Sequence, residues 1–511
     1  MSWLAQQDRS AKAINRTADT NVQEQSDCVV VPVNQPNKEG PPSAEVGEGR
    51  TQTEENIVRS SMHPTQSGKR MSQGLNGVRQ AAKERKQERF TALLHHMSVD
   101  LLRDSFFVLK RKAAPGVDGV TWQEYETGLE GRLIDLHSRV HRGAYRAQPS
   151  RRVYIPKPDG RQRPLGIAAL EDKIVQQAAV TIFNQIYEVD FQGFSYGFRP
   201  GRSPHQALDA LYVGIQRKRV NWVLDADIRG FFDNMSHEWT MKFVEHRVAD
   251  RRMLRLIQKW LKAGVSEDGQ WSETEVGTPQ GAVISPLLAN VYLHYVFDLW
   301  AEAWRKKVAT GDVIVVRYAD DLVVGFQHRA DAERFLKEFR ERLAKFGLEL
   351  HAEKTRLIEF GRFAAENRRQ RGEGKPETFT FLGFTHFCGR TTHAGVFTVW
   401  RITAKKRMVA KLKALKVELQ RRKHDPTRET GAWLRKVVLG YYQYHAVPGN
   451  STQLRVFWRR ACRLWRNVLV RRSQRARVRW GRMLPILYRW IPQPRVLHPY
   501  PDARFAATHP Q

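Results

Sequence analysis

Cysteine is scarce: Cys28, Cys388 and Cys462 are the only three in 511 residues, and no two are near one another in sequence. Without a C-x-x-C pair the chain has neither a zinc ribbon nor a disulfide framework, and such usage suits a reducing compartment. Long apolar runs are also missing; none approaches the roughly 18 consecutive apolar residues that a membrane span requires. The first stretch, Met1 to Asn15, has no apolar segment of the kind a secretory signal carries, and Asp8, Asp19 and Glu24 count against an organelle transit peptide. Acid is what the far end lacks. Residues 401–511 hold 27 Lys/Arg against 4 Asp/Glu, a balance of +23 out of +32 for the whole chain.

That uneven charge comes with rings. Trp433, Trp458, Trp465, Trp480 and Trp490 stand among the arginines, and basic residues for phosphates with rings for packing or stacking point to a folded nucleic-acid-binding unit. A nucleic acid is the expected partner, and a membrane is not. The length is too great for one compact core, so two or three packed units are expected.

Residues 1–76 are polar and of mixed charge, as in a flexible leader. From Gly77 to Lys110 the pattern turns helical: Phe90, Leu93, Leu94 and Met97 space as one helix face, followed by Leu101, Leu102 and Phe106. The turn residues AAPGVDG at 113–119 break it. A mixed region runs to about 390, with strand-like apolar runs at Trp222–Leu224, Val313–Val316 and Leu322–Val324. From Ala404 the pattern is helical again, Met408, Leu412 and Leu415 sharing a face, through Val437–Tyr444 and Leu454–Val470; Pro492 and Pro494 are expected to end regular structure. No internal repeat is present.

Two acidic sites stand out. Tyr318-Ala319-Asp320-Asp321 lies between two short apolar strands, so a tight β-hairpin would present carboxylates at its tip. An ordinary polar turn has the same look, but adjacent carboxylates repel unless cations neutralise them, which favours a metal role. The second site, Asp225-Ala226-Asp227, closes the strand-like Trp222–Leu224 and runs into Ile228-Arg229-Gly230-Phe231-Phe232-Asp233. A plain strand end is the alternative there. Asp227 and Asp320 are 93 residues apart and meet only through folding. If they meet, hard oxygen ligands suit Mg²⁺, and two such ions about 4 Å apart can activate a 3′-hydroxyl and stabilise a leaving pyrophosphate.

With these residues in place, the chain resembles the group II intron-encoded reverse transcriptase–maturases over roughly residues 77–500. The blocks that carry the resemblance stand in the family's order: AAPGVDGVTW (113–122), YIPKPDGRQRPLGI (154–167), FSYGFRPGRSPHQAL (194–208), DADIRGFFDNMSH (225–237), GTPQGAVISPLLANVYL (277–293), RYADDLVVGF (317–326), FGLELHAEKT (346–355) and FTFLGF (379–384). The resemblance implies Asp227 and Asp320 as main metal ligands with Asp321 beside them, Ile228 in the metal set, and Asp225 auxiliary or structural. Two Mg²⁺ ions are the implied cofactor. It implies Phe232 as the ring that rejects a 2′-hydroxyl, Lys157 and Arg163 as triphosphate holders, Gln280 as a wall of the nucleotide pocket, and Lys354 as the lysine that protonates pyrophosphate. Phe381, Leu382 and Gly383 would grip the primer end. For each basic residue a solvated surface charge is the alternative.

The expected fold is α+β, a right-hand polymerase: fingers and a palm with an antiparallel sheet flanked by helices over 77–390, then a basic α-helical thumb and maturase domain over 391–511. Arg435, Lys436, Arg459, Arg460 and Arg463 fall in the stretch that resembles the intron-RNA-binding part, as do Tyr441 and Tyr442. Expected partners are group II intron RNA, a DNA primer or target, and dNTPs; the expected setting is the bacterial cytoplasm, at the nucleoid. With no cysteine pair before Gln511, an endonuclease domain and target cleavage are not expected. The expected activity is copying intron RNA into DNA and assisting its splicing. The rivals are a host-adopted enzyme in defence or DNA repair, and an RNA-binding splicing factor without polymerase activity.

Overall fold

The computed structural model of the protein describes residues 66–156, 162–267, 270–272, 276–278, 281–391, 394–472 and 479–508. Its strands in chain order are β1 (Ser150–Pro156), β2 (Gln162–Ile167), β3 (Trp222–Asp227), β4 (Val265–Glu267), β5 (Gln270–Ser272) and β6 (Val313–Tyr318). Then follow β7 (Asp321–Phe326), β8 (Arg356–Glu359), β9 (Phe379–Phe381), β10 (Phe384–Arg390) and β11 (Phe397–Thr403). They form three sheets, ordered β2-β1-β4-β5, β6-β7-β3-β8 and β11-β10-β9, with helices between.

The second sheet explains why its strands read as apolar runs. Its pairings are all antiparallel, and both faces are covered. Val313, Val315, Leu322 and Val324 face one core, shared with the helix Leu170–Asp190; Ile314, Val316, Val323 and Ile358 face another, shared with the helix Pro204–Arg217. Side chains alternate between faces with period two, so a strand buried on both sides is apolar throughout. The polar residues concentrate where the strands end.

Helix starts follow local chemistry. Thr121 with Glu124, and Ser203 with Gln206, form reciprocal capping boxes that satisfy main-chain N–H groups at the helix starts. Near the N-terminus the pattern misled. A helix spans Gln66–Glu84, opening before Gly77, where the pattern placed it, so residues 66–76 belong to a helix rather than to a leader. The segment holding Phe90, Leu93, Leu94 and Met97 is a loop with one 3₁₀ turn at Leu94–His96. Leu93, Leu94 and Met97 are buried as the pattern required. The amides at the start of the segment, however, are taken by tertiary partners: the buried Asp250 carboxylate accepts from Leu93 N at 2.8 Å and Leu94 N at 2.9 Å, and Phe90 N donates to the Arg247 carbonyl. Leu101, Leu102 and Phe106 do lie on a helix, Val99–Val108.

The C-terminal part is helical, with a core of its own: Lys405–Arg421, Thr427–His445, Ser451–Val470 and Trp480–Trp490 pack around Met408, Leu412, Leu434, Phe457 and a fully buried Trp465. Trp433, Trp458, Trp480 and Trp490 are partly buried against that core, so they pack the unit. Regular structure does not stop at Pro492. A last helix, Pro501–Thr508, lies back on Pro204–Arg217, where Arg504 pairs with the buried Asp209 carboxylate, which also holds Arg401 Nη1 at 2.8 Å. A long-range ion pair of this kind has no signature in local sequence.

Asp250 also caps the helix Arg251–Lys262 through Arg252 N and Met253 N. Burial pushes its carboxyl up, but the four backbone N–H groups outweigh that and hold it below its ordinary value. A carboxyl depressed in the folded state contributes stability that is complete above the unfolded value, about 4, and is lost as pH falls through the folded one. Asp250→Ala should therefore destabilise the protein by roughly 3 kcal/mol at pH 7, since the four donors lose their acceptor. In urea unfolding the difference from wild type should shrink as pH drops below about 4; a pH-independent difference would show that these bonds are not the cause.

Candidate active site

The hairpin β6–β7 turns in two residues, Ala319 and Asp320, between the paired Tyr318 and Asp321. Ala319 has φ 55°. A left-handed conformation costs a non-glycine residue about 1–2 kcal/mol, so the surroundings must impose it. They do so from behind: a Cβ on Gly197 would lie 2.3 Å from Ala319 N, which means that the FSYGF segment touches the main chain of the turn directly. Tyr196 N donates to the Arg317 carbonyl at 2.8 Å and Arg317 N to the Phe194 carbonyl at 2.9 Å, stitching that segment along the hairpin.

β3 lies beside β7, and its last residue, Asp227, is paired with Asp321. Directly opposed residues on antiparallel strands have Cβ atoms about 5 Å apart. Folding thus brings Asp227, Asp320 and Asp321 to one end of the palm sheet, as the spacing required. Asp225, one turn of the pleat earlier, faces Arg356 at 3.7 Å; burial, partly opposed by Arg356, raises its carboxyl to about 6. Asp321 is raised to about 7, by desolvation and then by the carboxylates of Asp320, Asp227 and Asp225. Asp321 itself lies at the exposed end of β7. Arg407, at the start of the helix Lys405–Arg421, opposes the shift from the thumb side.

Lys354 Nζ donates to Asp227 Oδ2 at 2.7 Å, so this lysine belongs to the acidic site. Ile228 is buried next to Asp227, whose carbonyl accepts from His351 N at 2.8 Å. Phe231 is buried and stands edge-on to Phe232, which is half-buried; of the two rings, Phe232 is the more exposed. The Gly277 segment lies against it, with Thr278 N donating to the Phe232 carbonyl at 2.9 Å. A Cβ on Gly277, which has φ 87°, would meet the carbonyls of Phe232 and Asp233. Among the described residues no three His, Cys, Asp or Glu side chains converge closely enough to cage an ion.

The turn between β9 and β10 is Leu382-Gly383, both left-handed, with φ 47° and 79°. Two such residues match the twist of a two-residue hairpin. Phe381 points into the core, and the Leu382 carbonyl accepts from Tyr444 Oη at 2.8 Å, which ties this tip to the thumb. Lys157 and Gln280 lie outside the described residues; Arg163 is placed in β2, opposite Ile155, but its side chain lies outside them too. Arg435, Lys436, Arg459, Arg460 and Arg463 are exposed on two helices of the C-terminal unit. Tyr441 and Tyr442 are buried in its core and pack it. The sequence reading passed over Gly197, Asn290, Asp298 and Arg317, whose signal is only that they fall inside or beside the quoted blocks.

A sheet end that gathers carboxylates from two adjoining strands, with a lysine and an aromatic ring at its rim, is the arrangement of a nucleotidyl-transferring polymerase palm. The family described as reverse transcriptase (RNA-dependent DNA polymerase) matches residues 155–386. The chain belongs to that family, within the group II intron-encoded reverse transcriptase–maturases. Protein YkfC of Escherichia coli K12 is 37% identical over 276 residues, covering 48% of this chain and 72% of YkfC. Group II intron-encoded protein LtrA of Lactococcus lactis is 36% identical over 225 residues, 43% of this chain and 37% of LtrA. The putative COX1/OXI3 intron 1 protein of Saccharomyces cerevisiae is 26% identical over 306 residues, half of this chain and 36% of that protein. The matches thus span little more than a third of the two intron-encoded relatives. Membership implies dependence on a divalent metal, and no helix among the described residues is long and apolar enough to cross a membrane.

The contact between Gly197 and Ala319 can be tested alone. Gly197→Ala should cost about 1–3 kcal/mol in urea unfolding, whereas Gly193→Ala, where a Cβ meets nothing within 4 Å, should stay within about 0.5 kcal/mol of wild type. Equal effects would mean that the turn does not rest on Gly197.

Proposed function

We propose that the chain is the RNA-directed DNA polymerase and maturase of a group II intron, binding the intron RNA to assist splicing and copying it into DNA from a primer 3′-hydroxyl. The observation that carries this is the pairing of Asp227 with Asp321 at the tip that also holds Asp320. Those carboxylates fit a hard divalent cation: their mutual repulsion is what a cation relieves, and Asp321 is raised by burial and then by that repulsion. A closed cage is not required, because Mg²⁺ in such sites takes one or two carboxylates and completes its shell with water and substrate phosphates. Asp227 and Asp320 would hold two Mg²⁺, with Asp321 beside them and the main chain at Ile228 nearby. Bound there, the ions would supply charge neutralisation at the attacking and leaving oxygens.

The chain's own groups do the rest. Lys354, already on Asp227, would stand beside the leaving phosphates and carry a proton for them. Arg163 and Lys157, assigned by resemblance, would hold the triphosphate as a guanidinium fork and a point charge. Gln280 would line the pocket beside the Gly277 turn. The half-buried Phe232 ring would lie under the sugar of the incoming dNTP and exclude a 2′-hydroxyl. Leu382 and Gly383, braced by Tyr444 and backed by Phe381, would support the primer end. Arg435, Lys436, Arg459, Arg460 and Arg463 would bind intron-RNA phosphates, an exchangeable set with no base-reading role. The setting would be the bacterial cytoplasm, at the nucleoid.

Asp320→Asn and Asp227→Ala should each abolish extension of a DNA primer on an RNA template while leaving intron-RNA affinity within about twofold, because binding rests on phosphate contacts elsewhere. Gel-based extension and filter binding read the two. Extension near the wild-type rate in either variant would refute the polymerase assignment; loss of RNA binding in both would show that the acidic site and the basic helices are not separate.

A further inference from the structure

Behind the tip, the structure holds an ion pair that no role described so far uses. Arg317 and Asp298 are both fully buried, and the guanidinium grips the carboxylate with both arms, Nε to Oδ1 at 2.7 Å and Nη2 to Oδ2 at 2.6 Å. Its remaining arm, Nη1, donates to Asn290 Oδ1 at 3.0 Å and to the carbonyl of Ala319, the left-handed residue of the tip, at 3.1 Å. Asn290, also buried, passes the contact on: its Nδ2 donates to the Gly197 carbonyl at 2.7 Å, and Gly197 is the residue pressed against Ala319 N. The turn that carries Asp320 is therefore held on both sides of one residue, Ala319, by a charge at its carbonyl and a close-packed main chain at its nitrogen.

The helix that supplies Asn290 and Asp298 is built for this. It runs from Ser285 to Lys307 with a π-helical stretch at His294–Asp298. In a regular α-helix, eight residues would leave Asp298 rotated about 80° from Asn290. The wider π turn takes back most of that rotation and aims both side chains at Arg317. His294, between them, is pushed down to about 4 by burial, which keeps it neutral, so the charge facing Asp298 is Arg317.

We infer that Arg317, Asp298 and Asn290 are positioning residues that set where the Ala319–Asp320 turn stands, and with it the separation of Asp320 and Asp321 from Asp227. The inference rests on the polymerase role proposed for those carboxylates. A surface ion pair would tolerate drift; a buried, bidentate pair has one geometry, and a reacting group misplaced by about 1 Å can cost 10²-fold in rate.

The test separates positioning from stability. Arg317→Lys keeps the charge and loses the fork; the double variant Arg317→Met/Asp298→Leu removes both charges, so that none is stranded in the core. Each is examined as the full chain for thermal stability, for Mn²⁺ binding by electron paramagnetic resonance, and for single-turnover extension over a dNTP series. The double variant should unfold near the wild-type temperature yet extend about 100-fold more slowly, with its apparent dNTP Kd little changed and Mn²⁺ bound several-fold more weakly. Asn290→Ala should behave in the same direction. Recovery of wild-type extension and Mn²⁺ affinity in a stable double variant would overturn the inference, and so would wild-type behaviour of Arg317→Lys. Asp320→Asn runs alongside: if it extends normally, the polymerase reading fails; if it is inactive while the clamp variants are normal, only the clamp fails.

Discussion

Carboxylates repel, and this fold brings Asp225, Asp227, Asp320 and Asp321 to one end of one sheet. Everything nearby can be understood as containing that repulsion. Arg356 faces Asp225 and Lys354 holds Asp227, each from the strand or loop next to the acid it offsets. At Asp321 burial and then the neighbouring carboxylates raise the carboxyl to about 7, opposed by Arg407 from the thumb side. A site in that condition is poised for cations, which is the property a two-metal polymerase exploits.

Containing the repulsion needs stiffness as well as charge. The strands that end in these acids are buried on both faces, between two separate cores, so they cannot tilt without disturbing packing on both sides. The tip itself projects beyond that packing, and there main-chain contact with Gly197 and the Arg317 guanidinium take over. The basic helical unit is tied to the same region by the Tyr444–Leu382 hydrogen bond and by the Asp209 carboxylate that gathers Arg401 and Arg504. The C-terminal helical unit is thus joined to the palm through a turn and a shared carboxylate.

What could be seen in the sequence follows from what was local. Val313–Val316 and Leu322–Val324 were legible as strands because burial on both faces writes a continuous apolar run, and the tight acidic turn between them was legible because the run stops on both sides of it. Met408, Leu412 and Leu415 were legible because a helix face repeats within a few residues. The segment Phe90–Met97 has helical spacing too, but its amides are bonded to Asp250 and to the Arg247–Ala249 stretch, about 157 residues on. No pattern within the segment can report that. Arg317 stood in plain view at the head of the RYADD block, yet its partners Asn290 and Asp298 face it only because of a π turn, which periodicity arguments do not anticipate. Tyr441 and Tyr442, next to basic residues, suggested a surface for RNA; packing in the helical core claims them instead.

A polymerase site at this sheet end requires that Asp227 and Asp320 share metal ions while the protein holds its substrates. Crystals of the full chain with an RNA template, a DNA primer, Mn²⁺ and a non-hydrolysable dNTP would show this through anomalous scattering. Two peaks about 3.5–4 Å apart, both contacted by the carboxylates of Asp227 and Asp320 and flanking the primer terminus and the triphosphate, are the predicted result. Peaks elsewhere, with primer and nucleotide bound away from the tip of β6–β7, would contradict it.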